Sequence, residues 1–79
     1  MKKHSFARDR VIRLRRGQSI RLVCGIPIFT RRIALHPGEF VVATCNDSPN
    51  VIIVGCQSFD RRIRVHLFPG QQLIVSCHR

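Results

Sequence analysis

The chain has 79 residues and a formal net charge of +10, from fourteen basic and four acidic residues. That length allows one small domain with a lean core, while 44% apolar residues exclude a disordered polycation. With no Trp, no Tyr and five Phe, aliphatic side chains must fill the interior, and a homo-oligomer is expected to assist so small a core.

Residues 1–5 read as a flexible terminus. Lys2 and Lys3 resemble the basic start of an export signal, but Arg8 to Arg16 stands where the apolar stretch should follow. The longest apolar runs are only a few residues, too short for a membrane-spanning helix. These features predict a cytoplasmic protein with no membrane partner and with reduced cysteines.

From Phe6 onward one pattern is written three times, over residues 6–24, 29–45 and 59–77. Phe6-Ala7-Arg8 leads to Gly17-Gln18 and Cys24; Phe29-Thr30-Arg31-Arg32-Ile33 leads to Pro37-Gly38-Glu39 and Cys45; Phe59-Asp60-Arg61-Arg62-Ile63 leads to Pro69-Gly70-Gln71 and Cys77. In each the cysteine falls seven residues after the glycine. Three, five and seven residues after those glycines lie Ile20, Leu22, Cys24; Val41, Ala43, Cys45; and Leu73, Val75, Cys77. A period of two with one face uniformly apolar is a strand lying on a core. The segments before each glycine alternate likewise, through Ile12 and Leu14, Ile33 and Leu35, and Ile63 and Val65. The glycines supply turns, so each unit is expected to be a β-hairpin.

Between the units, Gly25 to Phe29 carries Pro27 and suits an edge or an irregular crossing. Asn46-Asp47-Ser48-Pro49-Asn50 is a loop, and Val51-Ile52-Ile53-Val54 reads as a strand buried on both faces. The expectation is an all-β domain spanning 1–79, a small barrel or two-sheet sandwich of seven or eight short strands built from three repeated hairpins.

Four Cys and four His invite a zinc site, but tight Cys-x-x-Cys or His-x(3–5)-His knuckles are missing. The cysteines are spaced by 21, 11 and 21 residues and read as inward-facing free thiols that pack as small hydrophobes, with a disulfide or a metal site as the alternatives. His36 and His66 take matching places in units two and three and read as solvated, with a phosphate-facing role as the alternative. Asp9, Glu39, Asp47 and Asp60 are the acids, and they form no paired-carboxylate motif. Neither a glycine-rich phosphate loop nor a nucleophile elbow is present. No catalysis, cofactor or metal is expected.

The arginines carry the functional signal, because twelve of the fourteen basic residues are Arg and Arg suits forked contacts to phosphate or carboxylate. Arg13, Arg15 and Arg21 are expected on one polar face of the first hairpin, with Arg16 at its turn. Arg8 and Arg10 precede them, Arg31-Arg32 and Arg61-Arg62 open the other two units, and Arg64 extends the last. Such a face can track a phosphate backbone, although the absence of Trp and Tyr speaks against recognition by base stacking.

Phe29-Thr30-Arg31-Arg32 with Gly38-Glu39 resembles the opening of the small RNA-binding carbon-storage regulators, a likeness confined to this stretch that carries no residue roles across. The Pro-Gly turns with alternating aliphatics are similar to cupin-like or jelly-roll fragments, without the metal ligands of cupins. The expected function is a small non-enzymatic protein binding DNA or RNA through arginines. The alternative is an inhibitor or adaptor of phage or mobile-element type docking on an acidic protein surface or a nucleic-acid channel; a structural assembly subunit is the third reading.

Overall fold

A computed structural model describes residues 2–46 and 48–79. Met1, and Asp47 of the expected loop, lie outside the described residues. Among the described residues eight strands follow one another without a helix: β1 Lys2–Ser5, β2 Arg10–Leu14, β3 Ser19–Cys24, β4 Phe29–Leu35, β5 Glu39–Cys45, β6 Val51–Cys56, β7 Arg61–Leu67 and β8 Gln71–Cys77. They form two mixed four-stranded sheets, the first in the order β1-β3-β8-β4 and the second β2-β6-β5-β7. Inward-facing Ile20, Leu22, Leu35, Leu73 and Val75 of the first sheet meet Leu14, Val41, Ala43, Ile52, Val54, Val65 and Leu67 of the second in one buried core. The chain is a small two-sheet sandwich.

The three expected hairpins are not there. In each unit the strands flanking the glycine belong to opposite sheets: β2 and β3, β4 and β5, β7 and β8. Alternation shows that a strand has one apolar face, and two strands meet that condition equally by lying side by side over a core or by sandwiching it. Here the chain turns a corner from one sheet to the other. The turns themselves are alike. Gln18 N–H donates to the Arg15 carbonyl, Glu39 N–H to His36 and Gln71 N–H to Phe68, each at 3.0 Å. Gly17, Gly38 and Gly70 sit at positive φ of 82°, 91° and 97°, the third position of a type II turn. The next side chain then closes the loop. Gln18, Glu39 and Gln71 each accept, through Oε1, the N–H of the first turn residue at 2.8, 2.7 and 2.8 Å. The threefold pattern is real as a turn device and absent as a hairpin.

Strand pairing follows a different, twofold repeat. Cys24 to Cys56 and Cys45 to Cys77 are both separated by 32 positions, and that offset carries β3, β4 and β5 onto β6, β7 and β8. It carries pairings too: Gly70 N–H donates to the Cys24 carbonyl as Gly38 N–H does to Cys56, and Phe29 N–H to Gly70 as Arg61 N–H does to Gly38. Even the left-handed backbone of Gly25 has a counterpart in Gln57 at φ 68°. Under this relation His66 corresponds to Ala34, so the expected equivalence of His36 and His66 does not hold.

The cysteines face inward but are not free. Cys24 is bonded to Cys45 and Cys56 to Cys77, with Cα separations of 5.4 and 5.0 Å. Each bond joins a strand end of one sheet to a strand end of the other, one pair at each end of the sandwich. Inward cysteines at the ends of facing strands meet across the core, which corrects the expectation of reduced thiols.

Lys2–Ser5, read as a loose terminus, pairs in parallel with β3. Ser48 Oγ and Asn50 Nδ2 both donate to the carbonyl of buried Phe6, at 2.9 and 3.3 Å, and anchor the crossing from β1 to β2. Val51–Cys56 is a strand, as expected for Val51–Val54, and lies inside the second sheet, but it is not buried on both faces: Ile52 and Val54 are buried while Val51 and Ile53 are only half-buried. Gly25 to Ile28 makes an irregular crossing rather than a strand. Ile20, Val41 and Leu73 are all buried, so each changed to Ala should lose about 1–4 kcal/mol in denaturant unfolding. Val41 and Leu73 occupy matching places under the twofold relation, and near-neutral results at both would contradict this core.

Candidate nucleic-acid interface

Because the units are corners, the arginines divide between two opposite outer faces. Arg13 and Arg21, expected together, lie on different sheets. On the outside of the first sheet one register row reads Lys3, Arg21, Ile74, Arg32, and the next Ser5, Val23, Gln72, Thr30. On the outside of the second sheet the rows are Val11, Ile53, Val42, Arg64 and Arg13, Gly55, Phe40, Arg62, with Thr44 beside His66 beyond them. Arg15 and Arg16 are exposed in the first turn, and Arg8 in the crossing before β2. Arg10 opens β2 in an inward register and is half-buried, its Nε enclosed without a hydrogen-bond partner. Arg31 and Arg61 are exposed near the starts of β4 and β7, in the register of the inward residues.

On its outer face the second sheet brings cations and phenylalanine rings into contact. Gly55 lies within a row whose other members carry large side chains, and a Cβ built there would overlap the Phe59 ring. The glycine therefore lets Phe59, from the β6–β7 crossing, fold back onto the sheet. Phe59 meets Phe40 edge-on, with centroids 5.7 Å apart at 60°, and Arg13 Cζ stands 5.7 Å from the Phe59 centroid, within cation–π range. Across the row the order is thus Arg13, Phe59, Phe40, Arg62. Beside it Val42, Thr44, Arg62, Arg64, Val65 and His66 line a shallow recess of about 380 Å³, with Thr44 Oγ1 2.9 Å from His66 Nδ1. Phe40 and Phe59 were missed from sequence; the signal was Gly55, a lone glycine inside an apolar strand, which marks a close approach.

Each of the three described acids accepts a hydrogen bond. Asp9 Oδ1 accepts the Val51 N–H at 2.8 Å, Asp60 Oδ2 the Ser58 hydroxyl at 2.7 Å, and Glu39 its turn N–H. Among the described residues no group of three or more His, Cys, Asp or Glu could hold a metal. His36 stacks near His78 with centroids 5.2 Å apart, at the end of the sandwich away from the Phe68 turn. A larger open cleft of about 650 Å³ runs from His4 past β2 to the first turn and β3. A second exposed feature is apolar: Ile26, Ile28, Phe29 and Phe68 are 84, 76, 65 and 55% exposed. The crossing at residues 25–28, which leads into Phe29, and the Phe68 turn are tied by Ile28 N–H to the Gly70 carbonyl at 2.6 Å.

No helix among the described residues is long and apolar enough to cross a membrane. Comparison with protein-family models, curated proteins and solved structures finds no match to this chain.

Proposed function

We propose that the protein is a non-enzymatic nucleic-acid binder whose contact surface is the outer face of the second sheet. The observation that carries this reading is the gathering of Arg13, Arg62 and Arg64 on one outer sheet face with the Phe40 and Phe59 rings in a chain with net charge +10. Forked guanidiniums spaced across neighbouring strands suit successive phosphates, and at this charge density a polyanion relieves self-repulsion. Three phosphate contacts give a salt exponent of about 2 to 3, so affinity should fall about 20- to 40-fold between 50 and 200 mM salt. Fluorescence anisotropy with labelled oligonucleotides measures this, and absence of binding at 50 mM salt would reject the reading.

The acidic-protein partner remains the second reading, favoured by the exposed Ile26, Ile28, Phe29 and Phe68, since apolar patches of this kind mark protein contacts. A stoichiometric protein captured by the wild type, and lost on changing Ile26 and Ile28 to Ser, would support it. The inter-sheet disulfides favour a working environment where such bonds persist, in place of the cytoplasm expected from sequence.

A further inference from the structure

The twofold relation provides an internal comparison, because both halves share pairings, turns and disulfides. Their outer faces differ. The row Arg13, Gly55, Phe40, Arg62 corresponds to Ser5, Val23, Gln72, Thr30 on the first sheet, where no ring is present and Gln72 Nε2 donates to Thr30 Oγ1 at 2.7 Å. The scaffold therefore does not require two phenylalanines and two arginines in that row. Both rings are half-buried, so part of each reaches solvent, and the Arg13 guanidinium, which lies over the Phe59 ring, must swing aside to a phosphate when a base stacks there. Strand spacing of about 4.8 Å puts the two arginines roughly 14 Å apart, with the rings between them.

We propose that Phe40 and Phe59 form a stacking platform for unpaired bases, with Arg13 and Arg62 holding the phosphates at its margins, so that the protein selects single-stranded over duplex nucleic acid. This rests on the nucleic-acid reading and names its substrate class. A duplex keeps its base faces inside its own stack, whereas a single strand can lay them on protein rings, and any base serves because each has a π-face. The 60° between the rings suits two bases splayed apart rather than a continuous stack. Sequence preference should accordingly be slight. Phenylalanine is sufficient for this role, so the lack of Trp and Tyr no longer argues against stacking.

Anisotropy titrations at 50 mM salt with a labelled dT 12-mer, an abasic strand of equal length and a 12-bp duplex test the proposal. The abasic strand keeps the phosphates and removes the rings' partners. The dT strand should bind roughly tenfold or more tighter than the abasic strand, and tighter than the duplex. Phe40→Leu and Phe59→Leu, which preserve an apolar cover over the sheet, should each reduce the ratio of dT to abasic affinity, a readout that cancels any shift of Arg13 on losing the Phe59 ring. Should Phe59→Leu fail to fold over Gly55, Phe40→Leu and the wild-type comparison decide alone. Equal affinity for dT and abasic strands, tighter duplex binding, or an undiminished preference in Phe40→Leu would overturn the platform and leave the nucleic-acid reading standing. Failure to bind any of the three strands would overturn both.

Discussion

Reduction of both disulfides is expected to unfold the chain at 37 °C. Each bond closes a loop with a sequence separation of 21, for which chain entropy gives about 3 kcal/mol. The two loops do not overlap in sequence, so their contributions add to about 6 kcal/mol. Total stability for a domain of this length is only about 4–12 kcal/mol. The bonds also hold the sheets at opposite ends, where no hairpin ladder connects one sheet to the other. Circular-dichroism melts with and without a phosphine reductant should show the cooperative transition lost or moved below physiological temperature. Replacing one pair by serines, Cys24 with Cys45 or Cys56 with Cys77, should lower Tm by about 10–25 °C, and by similar amounts because the pairs are related by the twofold repeat. Native protein should expose no titratable thiol. Four reactive thiols, or a Tm indifferent to reductant, would contradict the pairing.

What could be read from sequence was the face of each strand, and what could not was which strand lay beside it. Ile20, Leu22, Val41, Ala43, Leu73 and Val75 were assigned inward and are buried, because period two is a local property. Pairing is not local: β2 runs beside β6 and β4 beside β8, contacts that leave no mark in the order of residues. Two repeats of different period also overlap. Phe-x-Arg-Arg-Ile draws the eye to an alignment of Phe29 with Phe59 that needs a two-residue gap before the glycine. Cys24 with Cys56, Pro37 with Pro69 and Cys45 with Cys77 align without one, and this gapless register is the one the strands obey. The equal spacing of Cys24–Cys45 and Cys56–Cys77 was the available sign of pairing, but Cys56 stood outside the threefold pattern. β1 was illegible because its ladder with β3 uses backbone groups and asks nothing of side-chain alternation. The arginine surface was misplaced for one reason: a corner read as a hairpin puts Arg13 and Arg21 on one face instead of two.

That division makes the binding reading testable face by face. Arg13, Arg62 and Arg64 changed together to Gln should abolish most salt-sensitive affinity, removing the 20- to 40-fold fall expected between 50 and 200 mM salt. Arg21 and Arg32, on the outer face of the first sheet, changed to Gln should leave the salt exponent within about half a unit of the wild type. The first variant loses three charges and the second two, so a mere response to net charge predicts weakening of about three to two in the salt exponent, whereas a single contact surface predicts a far larger difference. Folding should be little affected in either. Arg13, Arg32, Arg62 and Arg64 are exposed and Arg21 is half-buried, and outward strand positions of this kind contribute little to the core. Thermal melts of both variants should therefore stay within a few degrees of the wild type, which separates lost contacts from lost structure. Equal exponents in the two variants would mean that the polyanion wraps both faces, and a full exponent retained by the Arg13, Arg62 and Arg64 variant would remove the second sheet as the interface.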